Sequence, residues 1–442
     1  MRLVSLGFVF LLLPVSAALY YCLPNRFKAA ALILISALIL LLMEPHSTPW
    51  LLCNLAADCG GATLLSHRSG RPRRLWYRAF FTKNVLILGV WGVLLPLLTH
   101  KVTSVGVIVL PLTMLCLMTS QMRGKQILAT PMAVGAGALF FGRLSYGPVS
   151  LSDAILTRVE HPAPSLTLLG HGVMRFTLGV AKRVILAEQT LALFKTLARL
   201  PIEQISTVSA WMAAMCAALG VYYTLSAYSD MAVGLGQMFS LELPHMTYYP
   251  FQAPNVRDYL YRLNMPLEDA VGGLLFDHFD RERGDWRAYL VSGLMPIVLS
   301  VWLFPTMGGM LWGLWLAGLV LLDFAVLRRI PLRWSFLSRV LTFVITLPAY
   351  ILLLPNDMAH RWAALRALVP FSGVLLANNT IVYLTTSNLV LLLLAIIACT
   401  SAINTLGRLT ARQFPNLWWV CSFFFHGLVL VATSSFLLWN VR

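Results

Sequence analysis

Long apolar stretches, separated by short polar connections, recur along the whole chain. Many approach the roughly 20 residues that an α-helix needs to cross a bilayer, and they lack the alternation of membrane β-strands. A helix also satisfies its own backbone hydrogen bonds in lipid. The pattern predicts an all-α, multi-span membrane protein with roughly 10 to 13 transmembrane helices. Candidate spans lie near residues 3–23, 28–43, 50–66, 84–99, 103–120, 127–146, 172–197, 207–226, 288–304, 309–327, 337–354, 381–402 and 416–439.

One long polar interval, residues 240–287, interrupts this pattern. It contains four prolines and the charged sequence DHFDRERGDWR. Prolines break helices into short pieces, and non-helical backbone at membrane depth is tolerated only inside protein or beside a water-filled cavity. The interval is therefore predicted to form either the wall of a functional funnel or a cytoplasmic loop with interfacial helices. Because no internal repeat or linker divides the chain, residues 1–442 are interpreted as a single integral membrane domain.

The composition supports the membrane assignment and limits the choice of partners. Hydrophobic residues make up 59% of the chain and charged residues 11%, against roughly 25% charged residues in soluble domains. The net charge of +16 is concentrated in short connections such as residues 67–83 and 328–339. Arginine and lysine gather in cytoplasmic loops of membrane proteins, where they contact anionic lipids. We therefore expect the lipid bilayer, and no nucleic acid, as the partner of these charges.

The cysteines and the N-terminus add two smaller expectations. Most of the seven cysteines lie inside apolar stretches, without CxxC or zinc-site spacing, so they are expected to pack and to bind no metal. The segment from Met1 to Leu23 resembles a signal peptide, but it lacks a clear cleavage motif and another apolar stretch follows directly. It is interpreted as an uncleaved first span.

The most informative polar segment runs from Tyr228 to Pro250 and reads YSDMAVGLGQMFSLELPHMTYYP. Its carboxylate, Asp230, is flanked by apolar segments. A charge at membrane depth is unfavourable unless it is paired or reached by water. Two interpretations stay open: Asp230 pairs with a nearby arginine or caps a helix, or it binds substrate directly.

Four short blocks occur in a fixed order along the chain. They are PLTMLCLMTSQ at Pro111–Gln121, FFGRLSYGPV at Phe140–Val149, RFTLGVAKRVILAE at Arg175–Glu188, and the segment Tyr228–Pro250. In this order they resemble sequence blocks of the membrane-bound O-acyltransferase (MBOAT) family, and the last block is the most similar. The resemblance is to the bacterial polysaccharide branch, which includes the membrane subunits of alginate O-acetylases and D-alanyl transfer proteins.

The resemblance implies a fold and a set of partners. Tilted helices would surround a thinned centre with a funnel open to the cytoplasm. An acyl donor such as acetyl-CoA or an acyl carrier protein would enter there without any tightly bound cofactor, and a glycan would approach from the opposite face. The protein would be a multi-pass component of the bacterial cytoplasmic (inner) membrane, working with envelope or periplasmic glycan-modifying proteins. The matching blocks indicate Tyr228, Ser229, Asp230 and Arg262 as funnel residues.

Two positions depart from the family's pattern, in which a buried histidine is the general base for an acceptor hydroxyl. The stretch Tyr259–Leu267 (YLYRLNMPL) has Asn264 where this branch has histidine, although many other family members carry asparagine there. The stretch Val301–Gly318 (VWLFPTMGGMLWGLWLAG) places Leu303 at the position of the catalytic histidine. Leucine transfers no proton, so the family's base is missing at its expected position.

Asn264, His278 and His426 are the remaining candidates for a catalytic role. His278 lies between two aspartates that would raise its pKa, or else it is a solvated residue of a charged loop. His426 lies within a predicted span, where an ionisable residue is a functional candidate and a packing role is the alternative. His171, at the start of a span, is a further candidate, whereas His245 resembles a turn residue.

Three functions stay open from the sequence. The first is O-acylation, acetylation in particular, of a cell-envelope polysaccharide. The second is a non-catalytic relative, a pseudoenzyme that acts as a scaffold or conduit of an envelope glycan export or modification complex. The third is an unrelated multi-span transporter, against which the block order and the lack of repeat symmetry argue. Leu303 favours altered or absent catalysis, so the sequence leaves open whether the chain is an enzyme.

Overall fold

The computed structural model describes residues 5–67, 71–90, 105–122, 130–144, 147–149, 151–276, 286–304, 306–326, 335–355, 357–369 and 374–439. These residues form helices joined by short connections, and no β-strand occurs among them. The expectation of an all-α fold is confirmed.

The helices are numbered α1 to α21 in chain order. Helices α1 to α8 are Leu13–Cys22, Asn25–Met43, Thr48–His67, Arg71–Ile87, Val105–Met122, Pro131–Leu139, Phe141–Leu144 and Asp153–Glu160. Helices α9 to α15 are Leu166–Ala181, Glu188–Ala198, Thr207–Met238, Val256–Leu263, Met265–Leu275, Trp286–Leu303 and Met307–Ala325. Helices α16 to α21 are Ser335–Thr346, Met358–Ala367, Asn379–Ser387, Leu389–Ala398, Ala402–Gln413 and Pro415–Trp439. Two π-helical segments, Phe8–Leu12 and Lys182–Ala187, and three 3-10 segments, Ile202–Gln204, Pro250–Gln252 and Leu347–Leu353, complete the described elements.

Four helical stretches in the described part of the chain are long and apolar enough to cross a membrane. They are α2, α11, α15 and Phe336–Leu353, and α18 with α19 would add a fifth span that bends by 59°. Several predicted spans consist of shorter helices. Residues 127–146, for example, contain α6 and α7, because Thr130 caps a helix that begins at Pro131 and Phe140 leaves the helical conformation.

Helix α11 is the central element, and most of its length is buried. Ser206 and Ser209 cap its start reciprocally. Helix α9 packs against its second half through glycines. A Cβ atom at Gly172 would lie 2.7 Å from the carbonyl oxygen of Gly234, and one at Gly179 would lie 2.7 Å from the backbone nitrogen of Met231. Small residues therefore allow the two helix backbones to approach closely, as in many membrane helix pairs.

Helices α14 and α15 form a hairpin beside this core. A Cβ atom at Gly313 would lie 2.7 Å from the carbonyl oxygen of Pro296, so these two backbones are also in close contact. The Thr306 side chain accepts a hydrogen bond from the Gly309 N–H at 3.1 Å and begins α15 directly after the turn. The end of α14 and the start of α15 consequently lie close together, and Gly308 in this turn contacts Leu352.

Large apolar side chains cover much of the outer surface. Leu34, Val390, Phe424 and Leu428 are among the most exposed of them. Extended exposed apolar surface marks contact with a membrane or another protein. Together with the apolar helices, it identifies the bilayer as the surroundings of this protein.

Candidate functional site

Asp230 lies in an ion network between α9 and α11. Its Oδ2 atom is 2.5 Å from the Lys182 Nζ atom, and its Oδ1 atom is 3.3 Å from both Nε and Nη2 of Arg175. Lys182 also donates a hydrogen bond to Ser226 at 3.1 Å. The Asp230 side chain is 16% exposed. Ser226 and Asp230 are one helical turn apart, and Arg175 and Lys182 two turns apart, so each pair shares a helix face. The pairing of Asp230 with an arginine is thereby confirmed.

His245 extends this network beyond the helices. Its ring nitrogens lie 2.8 and 2.9 Å from the Arg175 Nη2 atom. Partial removal from solvent, and then the positive charge of Arg175, lower the pKa of His245 below its usual value of 6.5, although Asp230 acts in the opposite direction. The neutral ring can accept a hydrogen bond from Arg175. This arginine therefore connects the carboxylate of Asp230 to the imidazole.

A backbone segment next to His245 joins the network to the junction of α12 and α13. The Met246 N–H donates to the Ser229 hydroxyl at 2.9 Å, and the Met246 carbonyl accepts from the Met265 N–H at 2.9 Å. The Tyr248 N–H donates to the Arg262 carbonyl, also at 2.9 Å. Two regions that the sequence analysis singled out separately, around Asp230 and around Asn264, are thus held together through residues 246–248.

Asn264 ends α12 and begins α13. Its Oδ1 atom accepts the Leu267 N–H at 3.3 Å, which caps α13, and Pro266 occupies the first turn. The residue is only 1% exposed. Its Nδ2 atom has no hydrogen-bond partner among the described residues. Since buried polar groups are normally paired, this amide is a donor available to a ligand.

Two further buried polar pairs flank this junction. The Ser292 hydroxyl donates to the Glu268 Oε1 atom at 2.7 Å, and both residues are fully buried. The hydroxyls of Tyr259 and Tyr350 lie 2.5 Å apart. Sequence reasoning missed Glu268, although a carboxylate within the apolar sequence MPLEDAVGGLL is an available signal.

The other predicted funnel residues have local partners. Arg262 donates to Asp258 at 2.7 Å, one helical turn earlier, and its guanidinium lies 6.0 Å from the Tyr248 ring centroid. Tyr228 is half-buried, with the Arg183 guanidinium 6.0 Å from its ring centroid. Their role in substrate binding stays a prediction.

Leu303, at the position of the expected base, is the last residue of α14 and packs against the hydrophobic core. The neighbouring Trp302 is nearly buried, and its indole N–H has no acceptor in the described part of the chain. His278 lies outside the described residues. His426 is on α21, where its Nδ1 atom is 2.6 Å from the Ser422 carbonyl oxygen. His171 is exposed at the start of α9.

The cations of the network were less visible in the sequence than Asp230. Arg175 and Lys182 both belong to the block RFTLGVAKRVILAE and lie within the candidate span 172–197. Their seven-residue spacing is the signal that places them on one helix face. Two cations against one carboxylate leave the network with an excess of positive charge.

The all-helical fold, the apolar surface and the buried polar centre define a multi-span α-helical membrane protein. No protein-family model matches the chain. It is similar to the probable alginate O-acetylase AlgI of Pseudomonas aeruginosa, with 24% identity over 238 residues, 52% of this chain and 44% of that protein. It is also similar to the probable AlgI of Pseudomonas putida, with 23% identity over 366 residues, 74% of this chain and 73% of that protein.

A third relative is named for a different polysaccharide, peptidoglycan. The peptidoglycan O-acetyltransferase of Helicobacter pylori is 23% identical over 248 residues, 54% of this chain and 47% of that protein. The chain therefore spans about half the length of this relative and of the Pseudomonas aeruginosa protein. These similarities make the chain a distant relative of alginate and peptidoglycan O-acetyltransferases.

Proposed function

We propose that this protein O-acetylates a cell-envelope polysaccharide, as a multi-pass component of the bacterial inner membrane. The distant relation to alginate and peptidoglycan O-acetyltransferases supports this reaction class. The observation that carries the proposal is the connection through Met246, which holds the Asp230 network beside the buried amide of Asn264. A transporter is less well supported, because the relatives are named for acetyl transfer.

The acyl donor in this proposal is acetyl-CoA or an acylated carrier protein. Both donors carry phosphate groups, and the excess positive charge of Arg175 and Lys182 over Asp230 suits such a ligand. Arg175 would orient the donor, since its fixed guanidinium fork already holds both Asp230 and His245.

The transfer step requires an oxyanion donor and a base. The Asn264 Nδ2 group, buried and without a partner among the described residues, is our candidate for hydrogen bonding to the thioester oxygen as negative charge develops. His278 is our candidate base, since leucine occupies position 303. It would take the proton from the acceptor hydroxyl as the new ester C–O bond forms and the C–S bond breaks, and the proton would leave with the thiol.

The test is acetyl transfer by the purified full chain. Radiolabelled acetyl-CoA, or an acetylated carrier protein, is incubated with polysaccharide fragments, and ester-bound label is counted. We expect label in the wild type and a strong loss of label in Asn264→Ala and His278→Ala. The matched control His161→Ala, which alters an exposed histidine, should keep the label of the wild type. Absence of transfer from either donor to any acceptor fragment would overturn the proposal.

A second candidate function is a non-catalytic scaffold or conduit for an envelope glycan-modifying complex. Its support is the apolar packing of Leu303, which leaves no imidazole at the expected position of the base. The two functions separate in cells. If deletion of the protein abolishes polysaccharide acetylation while Asn264→Ala and His278→Ala retain it, the scaffold is favoured.

A further inference from the structure

A groove of about 680 Å³ lies far from the Asp230 network, at the N-terminal end of α11. The end of α10, the segment that follows it and the start of α17 form its walls. Its lining includes Lys195, Arg199, Ile202, Pro355, Asp357 and His360. The volume falls within the range of roughly 300–1,000 Å³ in which small ligands are enclosed.

His360 is the most unusual residue of the groove. The residue is only 9% exposed, and its imidazole has no hydrogen-bond partner in the described part of the chain. Burial lowers its pKa, although Asp357 opposes this shift, so the neutral ring is favoured. A neutral imidazole offers one N–H donor and one acceptor. His360 lines the groove, where its donor and its acceptor are available to a ligand.

The groups around His360 are mainly positive. Lys195 and Arg199 are exposed at the groove, and neither forms an ion pair with another described residue. Helix α17 begins here, and Asp357 at its start makes no side-chain cap. The first N–H groups of a helix are free of partners within the helix and attract anions. Two unpaired cations, a helix start and an imidazole donor therefore converge on one space.

The position of the groove distinguishes it from the Asp230 network. Arg361, next to His360, contacts Gly308 at the turn between α14 and α15. The opposite ends of this hairpin adjoin residues 277–287 and 327–334, which are rich in arginine. The groove therefore lies towards the end of the hairpin that is opposite these two connections.

We propose that this groove binds an oxyanion, either the carboxylate of an acidic sugar or a phosphate group. Lys195 and Arg199 pair with the charge, while His360 and the first N–H groups of α17 donate hydrogen bonds to it. The remaining volume accommodates the sugar or other group that carries the anion. Binding at this groove does not depend on acetyl transfer, so the two proposals can fail separately.

The test is equilibrium binding to the full-length protein in detergent. The probes are a galacturonate trisaccharide, inorganic phosphate and the neutral trisaccharide maltotriose. We expect saturable binding of at least one anionic probe, weakening as salt is raised, and no binding of maltotriose. The anionic probe that binds more tightly identifies carboxylate or phosphate as the recognised group.

Variants locate the binding site. Lys195→Gln and Arg199→Gln should each weaken binding about tenfold, as expected for the loss of roughly 1.4 kcal/mol. Arg412→Gln, which removes an exposed cation on α20, is the matched control and should bind as the wild type does. His imidazole NMR signals assigned through His360→Gln should shift on addition of the bound anion. If neither anion binds, or if the two groove variants bind unchanged, the proposal is wrong.

Discussion

The two ends of α11 use charge in different ways. At Asp230 the cations Arg175 and Lys182 are already bound to a carboxylate within the protein. Near the start of the helix, Lys195 and Arg199 form no ion pair among the described residues and face a groove. From Thr207 to Asp230 is about 35 Å along the helix, at 1.5 Å per residue. The paired charges at Asp230 hold helices together and leave only one excess positive charge for a ligand, whereas both cations at the groove are available to one.

The largest effect should come from breaking the Asp230 network. Asp230→Ala leaves Arg175 and Lys182 without their shared anion between α9 and α11. Loss of one partner of a buried ion pair destabilises a protein by roughly 3–5 kcal/mol. Because Asp230 is partly exposed, we expect its substitution to cost no more than the lower end of that range, about 3 kcal/mol. Thermal unfolding in detergent measures it.

A surface ion pair is the control for Asp230→Ala. Glu242 pairs with Arg158 at 2.6 Å, but its side chain is 56% exposed. Exposed pairs contribute roughly 0–1 kcal/mol, so Glu242→Ala should have little effect. Equal and small effects of the two substitutions would contradict a structural role of the network, and would leave the glycine contacts between α9 and α11 as their main attachment.

An intermediate effect is expected at the buried tyrosine pair. Tyr259→Phe removes a hydroxyl that lies 2.5 Å from the Tyr350 hydroxyl, both in fully buried residues. A buried hydrogen bond contributes about 1 kcal/mol, so the unfolding temperature should fall by a few degrees. Tyr248→Phe, at a largely exposed ring, should leave it unchanged. A larger fall in unfolding temperature for Tyr248→Phe than for Tyr259→Phe would show that the hydroxyl pair does not stabilise the packing of α12.

His245 should make stability depend on pH. Its pKa in the folded protein is below the ordinary 6.5, so the unfolded chain binds more protons than the folded protein as pH falls through this region. Stability is therefore fully retained above about pH 6.5 and declines as the solution is acidified below it. Unfolding temperatures between pH 8 and pH 5 measure the effect. His245→Gln should flatten the decline, and an unchanged decline in that variant would assign it to other groups.

The smallest effect should come from the groove cations. Arg199→Gln removes an exposed charge that has no ion partner among the described residues, so the unfolding temperature without ligand should stay unchanged. The binding of an anionic probe should nonetheless weaken. A clear loss of stability without ligand would mean that Arg199 supports the fold, and the contrast between the two ends of α11 would be weaker.

Hydrophobic patterning predicted the helical class because the length of a continuous apolar stretch, which is read from the local sequence, decides whether a helix can cross the bilayer. It placed spans where the described structure has several shorter helices, as at residues 127–146, because caps and prolines interrupt a stretch whose average hydropathy stays high. The predicted breaks between residues 240 and 287 do occur. Pro250 begins a 3-10 segment and Pro266 lies in the first turn of α13.

The candidate site was predicted only in part. The sequence identified Asp230 as a charge in need of a partner and Asn264 as a polar residue of interest. It missed Glu268 and His360, which become notable through burial. The role of Asn264 as the cap of α13 is established by its hydrogen bond to the Leu267 N–H.

The sequence by itself determined the membrane environment, the helical class and the residues whose charge requires compensation. These follow from composition and from spacing along one helix. Only the tertiary structure decided which charges compensate one another and which stay open. Arg175 lies 55 residues from Asp230 along the chain, and His360 lies about 160 residues from Arg199. Contacts over such separations depend on how helix backbones pack, and that packing is set by many weak contacts together.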